Sequence, residues 1–233
     1  MAKNQMPAWA MFCFVAIFLS LSAWQFYRLG WKENLIHERQ ERLAAELITS
    51  PFLEKKPEEL SFRRAVIEGH FDHQHEMYLI AASVSGKSGY HVFVPFRLLD
   101  GSVIIVNRGW VPPERRDPST RQADINNETV TIKGILRTGM QQGLFVPDNV
   151  PAKNMWTWVD LPAMIQYAGI DQYIAPKLYM DIDAGDSKWP VGGQVTLTIV
   201  NNHLEYAITW LLMAVLIAIF YRFYRRGWKT ILK

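Results

Sequence analysis

Two stretches of the chain, one near each end, carry no charged residue, and the polar and apolar positions between them change period twice. From Ala8 to Phe26 the residues AWAMFCFVAIFLSLSAWQF run for nineteen positions without a charge, about the ~20 that a helix needs to cross a bilayer core. This predicts a membrane helix. A cleaved signal peptide is the competing reading, but the run is long for one, and the bulky Trp24, Phe26 and Tyr27 stand where a small-residue cleavage site belongs. The second stretch, Tyr206 to Tyr221, has sixteen uncharged residues. Leu204 at one end and Arg222, free to snorkel, beside Phe223 and Tyr224 at the other extend it to a span.

After the first span the pattern becomes amphipathic. Trp24 to Thr49 has no Pro and alternates charged with apolar residues, so the helix is expected to continue as a neck, with a weak point at Gly30 and an end at Pro51. The pattern then shortens to period two. FRRAVIEGHF, EMYLIAAS, YHVFVPFRLL, SVIIVNRGW, TVTIKGILR, YIAPKLYM and QVTLTIV are rich in β-branched and aromatic residues and are separated by turn signals. Asp100-Gly101 marks the clearest hairpin, and WVDLPAMIQYAG supplies one helix. The predicted fold is membrane α+β: two transmembrane helices, N- and C-terminal, bracket a mainly antiparallel β extramembrane domain, an open sheet or small barrel with one or two helices. The expected boundaries are a cytoplasmic N-terminus over 1–7, transmembrane helix 8–26, amphipathic neck 27–50, β-rich domain 51–202, transmembrane helix 203–224 and a basic tail over 225–233.

Charge adds orientation. The tail RFYRRGWKTILK is dense in Arg and Lys, which by the positive-inside rule places the C-terminus in the cytoplasm; with two spans the N-terminus joins it. The central domain is then outside. Met1 stands only seven residues before the apolar run, which leaves no room for an organellar transit peptide. The expected site is therefore a bacterial inner membrane with the central domain periplasmic. The net charge of +3 is uneven: Arg28 to Glu205 holds 19 basic and 22 acidic residues. A mildly acidic body with a basic tail argues against a nucleic-acid surface, and the two spans make membrane lipid an expected partner. The mean hydropathy of −0.04 conceals this layout. Cys13, the single cysteine, excludes an intrachain disulfide, a CxxC pair and a CxxCH haem attachment. No GxSxG, HExxH, GxxxxGK[ST] or GxGxxG is present, so the chain is expected not to be an enzyme.

Three sets of residues could carry chemistry. His203 stands just before the second apolar helix, at a depth where imidazole could ligate the iron of a lipid-soluble macrocycle. On a helix beginning near Asn202, His203, Ala207, Ala214 and Ala218 share one side, a strip against which a flat ring could rest. The same small residues equally suit close helix pairing, with Ala16, Ser20 and Ala23 as the matching strip. Arg108 could hold a carboxylate such as a haem propionate, with Trp110 covering an apolar face; a strand, a Gly turn and a packing Trp explain the same residues. His73 and His75 share a face if their segment is a strand, a spacing that copper or zinc could use, although solvated turn histidines fit as well.

The motifs in combination resemble the Surfeit-locus cytochrome c oxidase assembly family. The resemblance spans nearly the whole chain: a first span leading into Trp24-Gln25 with Arg28, Trp31 and Lys32; Pro95-Phe96; Val106-Asn107-Arg108-Gly109-Trp110-Val111-Pro112; and Asn201-Asn202-His203-Leu204 with Tyr206-Ala207 and Thr209-Trp210. Ser22 stands where the family pattern has Gly. The resemblance implies a factor that helps to build haem-copper oxidases when subunit I receives haem a, and it places the haem-binding histidine at His203. The cofactor-binding set so implied is His203, the axial ligand to the haem iron, with Tyr206, Ala207 and Trp210 beside it and Arg108 and Trp110 from the β body. Haem a is then transiently carried cargo, subunit I the recipient and haem a synthase the donor. A non-haem scaffold that steadies subunit I is the alternative, and a copper-handling domain built on His73 and His75 is a third.

Overall fold

The computed structural model describes residues 7–49, 57–83, 85–124, 128–139, 141–173, 177–186, 188–194 and 199–226. Its helices are α1 (Ala8–Ala44), α2 (Pro57–Leu60), α3 (Leu161–Tyr167) and α4 (His203–Arg226), and its strands are β1 (Arg64–Phe71), β2 (Met77–Ala82), β3 (Ser88–Leu98), β4 (Val103–Val111), β5 (Val130–Thr138) and β6 (Leu178–Ile182). The chain divides into two compact units, residues 1–38 with 198–233, and residues 39–197.

In the first unit α1 and α4 pair antiparallel. The less exposed positions of α1 include Met11, Val15, Phe18, Ser22, Gln25 and Leu29, and those of α4 are His203, Ala207, Trp210, Ala214, Ile217 and Tyr221. Both follow the 4,3 spacing of a heptad seam, which keeps one stripe of each helix turned to its partner. Ala207 and Ala214 are buried, the Ser22 hydroxyl donates to the Ala207 carbonyl at 2.9 Å, and Phe18 stacks on Trp210 with ring centroids 5.6 Å apart. The small residues of α4 therefore serve helix pairing. Ala16, Ser20, Ala23 and Ala218, expected in these strips, are exposed instead: the seam keeps a 3.5-residue period, and those positions fall off it. Only 17% of the apolar window of α1 and 11% of that of α4 is buried. Their hydrocarbon faces outward, which fits two membrane-spanning helices and not the core of a water-soluble protein.

α1 passes through Gly30 without a break and ends at Ala44, six residues before the predicted boundary. The cause is a competing backbone partner: Ile48 bridges Ala65, donating to the Arg64 carbonyl at 3.0 Å and accepting from the Val66 amide at 2.8 Å. A residue whose N–H and C=O are taken by a strand cannot extend a helix.

In the second unit the strands form one sheet in the order β1-β5-β6-β4-β3-β2, with an additional β1–β3 pairing. β3 uses one edge twice, its first half for β2 and its last residues for β1. The circuit β1-β5-β6-β4-β3 thus closes into a five-stranded barrel, and β2 hangs outside it. Every pairing is antiparallel except β4–β6, which is parallel through Val106↔Met180 and Asn107↔Asp181. Closure requires a bare backbone at Gly69, where a Cβ would collide with the Arg97 carbonyl. The barrel interior is filled by Val94, Phe96, Ile104, Val106, Leu136 and Met180 among others. A second cluster, with Phe93, Ile105, Trp156, Met164 and Tyr179, lies on the outer face under α3. β4 is consequently buried at all nine positions, which explains why its first four residues, Val103 to Val106, are apolar without alternation. The predicted strands all appear, except that QVTLTIV lies mostly outside the described residues, and the Asp100-Gly101 hairpin joins β3 to β4 as expected.

Candidate functional site

His203 opens α4 and is half-buried. Its Nδ1 lies 2.7 Å from the Gln25 side-chain carbonyl on α1. An amide oxygen can only accept, so Nδ1 is the donor in this contact and Nε2 is the ring nitrogen left to ligate. A partner that fixes tautomer and ring orientation is the usual support of a metal-ligating histidine. Gln25 is itself buried in the helix seam, so the imidazole is held by a side chain that cannot easily leave. Of the neighbouring sequence candidates, Ala207 and Trp210 are engaged by Ser22 and Phe18. The surface left beside the imidazole is Tyr206 and Leu204, 54% and 47% exposed. Asn201, two residues upstream, has a buried side-chain oxygen with no hydrogen-bond partner among the described residues. One imidazole oriented through Nδ1, next to exposed aromatic and aliphatic carbon, is a donor set that suits the iron of a flat, apolar macrocycle.

Arg108 and Trp110 belong to β4 in the other unit. Arg108 is buried, its guanidinium 4.7 Å from the Phe71 ring centre and 3.5 Å from His73 Nδ1. Trp110 packs toward Trp189, its backbone bridges Val191, and its indole N–H is buried without a partner among the described residues. Gly109 makes no turn between them. It continues the strand at φ +120°, and a Cβ there would collide with the Val191 carbonyl. His73 and His75 occupy a 3-10 turn, not a strand, each beside an acid: His75 Nδ1 is 2.8 Å from Asp72 and His73 Nδ1 is 3.4 Å from Glu76. Among the described residues no group of three potential metal ligands forms.

The SURF1 family matches residues 12–215, taking in all of the barrel and the His203 segment. The chain belongs to the SURF1 family. It is 34% identical over 219 residues to Surfeit locus protein 1 of Mus musculus, covering 87% of this chain and 70% of the relative. It is 32% identical over 218 residues to Surfeit locus protein 1 of Homo sapiens, covering 87% and 72%. A SURF1-like protein of Monosiga brevicollis is 32% identical over 232 residues, covering 94% and 87%.

This SURF1-family barrel also contains polar groups that the sequence did not single out. Glu76 and Arg121 form a buried bidentate pair, with side chains 2% and 0% exposed, and the Tyr78 hydroxyl donates to Glu76 at 3.0 Å. Burial alone would raise the Glu76 carboxyl, but hydrogen bonds from His73, Arg121 and Tyr78, with the Arg121 charge, hold it at about 2. At the parallel β4–β6 junction the Asn107 amide donates to Asp181 at 2.8 Å and lies 3.0 Å from His91 Nδ1. Burial pushes Asp181 up to about 6, against the opposing pull of Arg137 and Asn107. Glu76 and Arg121 are 45 positions apart in sequence and Asn107 and Asp181 are 74 apart, so no local pattern marks either pair.

Proposed function

We propose that this SURF1-family protein is a cytochrome c oxidase biogenesis factor that makes and breaks no bond, binding haem a through His203 and passing it to oxidase subunit I. The observation that carries this reading is the His203–Gln25 contact, which orients the imidazole and leaves Nε2 able to ligate iron at the head of an apolar helix. Haem a carries a long hydrocarbon tail, so a carrier gains by binding it where ring and tail both avoid water. Tyr206 adjoins the imidazole one helical turn on, and its exposed ring offers an apolar contact. Tight helix pairing by Ala207 and Trp210 keeps the two spans from shifting as cargo enters and leaves. The proposed setting is a bacterial inner membrane, both termini cytoplasmic and the barrel periplasmic, with haem a synthase as donor.

The test is spectroscopic. Full-length protein purified from a host that makes haem a is expected to carry a haem absorbance band, which His203→Ala removes while thermal stability and subunit I binding persist. Protein that stays colourless yet supports full oxidase assembly would leave the scaffold reading in place of the carrier.

A further inference from the structure

Toward the Ala8 end of α1 and the Arg226 end of α4 the helix seam opens into a groove of about 680 Å³, walled by Met11, Phe14 and Phe18 and by Ile217, Phe220 and Tyr221. Hydrocarbon is the only bulk material such walls solvate well. Tyr221 adds a second requirement. Its hydroxyl is buried with no hydrogen-bond partner among the described residues, and an occupant that brings an acceptor would remove that penalty. A third comes from charge. Arg222, Arg225 and Arg226 follow directly, and no acidic residue lies in the chain after Glu205. Arg225 is four residues past Tyr221, so it sits one turn further along the same face.

We propose that this groove is a binding site for an anionic phospholipid: one acyl chain fills the apolar groove, an ester carbonyl accepts the Tyr221 hydroxyl proton, and the headgroup phosphate lies against the arginines. A second copy of the chain in the same orientation would bring two arginine clusters together, so like-charge repulsion disfavours it as the occupant. Its α4 walls, Ile217, Phe220 and Tyr221, lie toward the opposite end of that helix from His203, so the site is separate from the proposed iron ligand.

Native mass spectrometry of the full chain in detergent micelles, titrated with phosphatidylglycerol or phosphatidylcholine of identical acyl chains, tests the assignment. Phosphatidylglycerol is expected to be retained as one tight adduct and preferred over phosphatidylcholine, by about fivefold for each arginine engaged. The triple variant Arg222→Gln, Arg225→Gln, Arg226→Gln should lose the preference and keep weak binding of both lipids. Ile217→Trp should lose both lipids by filling the groove. Tyr221→Phe, which keeps the shape and serves if the tryptophan variant does not fold, should weaken retention of both lipids. Equal retention of the two lipids by the unaltered chain, Tyr221→Phe retention unchanged, or a protein dimer that Ile217→Trp dissociates would each overturn the proposal.

Discussion

Replacing Arg121 with Ala leaves the Glu76 carboxylate without its cation, with Tyr78 and His73 as its remaining partners, in a site where both members of the pair are almost wholly enclosed. The gap between the ordinary 4.5 and the held value of about 2 corresponds to roughly 3 kcal/mol, at ~1.4 kcal/mol per pH unit, shared among His73, Arg121 and Tyr78. Removing one member of a buried pair independently costs about 3–5 kcal/mol in proteins generally, because the survivor stays desolvated. The expected loss for Arg121→Ala is roughly 3 kcal/mol. For a chain of this size that is a fall in Tm of about 6–12 °C, readable by tryptophan fluorescence on the full chain in detergent at pH 7. The sign with pH is fixed. A carboxyl held low in the folded state stabilises fully above its unfolded value and loses that contribution as pH falls toward about 2. The difference between wild type and Arg121→Ala must therefore narrow below pH 4.5, and Glu76→Gln should restore part of the loss in the Arg121→Ala background. A fall in Tm under about 2 °C, or a difference that stays constant through that acid window, would refute the reasoning.

Gln25→Ala should weaken haem binding by about 10–100-fold, the usual effect of losing a histidine's supporting partner, measured by haem titration with His203 intact. Gly109→Ala should cost about 3 kcal/mol or more, since its φ of +120° and the adjoining Val191 carbonyl both oppose a Cβ; retention of the wild-type Tm would contradict that. Asp181, raised to about 6 by burial, penalises folding above that value and is relieved as pH falls toward 3.8. Asp181→Asn, which keeps an acceptor for Asn107, is accordingly expected to raise stability at pH 8 and to change it little at pH 4, as melts at the two values would show.

The spans, six strands and α3 were legible because each is coded locally, by an uncharged run, a period or a turn pair such as Asp100-Gly101. His203 was legible as a candidate because a polar residue at the head of an apolar helix stands out, but Gln25 was not. It is 178 positions away, and only the antiparallel seam brings it near. The expected strip Ala16, Ser20 and Ala23 is not the seam, because residue size alone carries no register and the seam includes bulky Phe18 and polar Gln25. The end of α1 at Ala44 was misplaced for a related reason, since no helix-stop signal precedes Pro51 and Ile48 is captured by a strand partner from outside its own segment. Barrel closure through β1–β3 and the parallel β4–β6 contact had no local mark at all.

The position of β6 has a consequence for biosynthesis. This strand, late in the sequence, slots between β4 and β5, which came off the ribosome first, so the ring cannot be completed until residue 182 has emerged. Until then β4 and β5 present open hydrogen-bonding edges. A nascent chain stalled before that point would expose sticky, half-built sheet to its surroundings, which makes β6 the latch of the barrel and its delivery the moment of greatest vulnerability to proteases and to self-association.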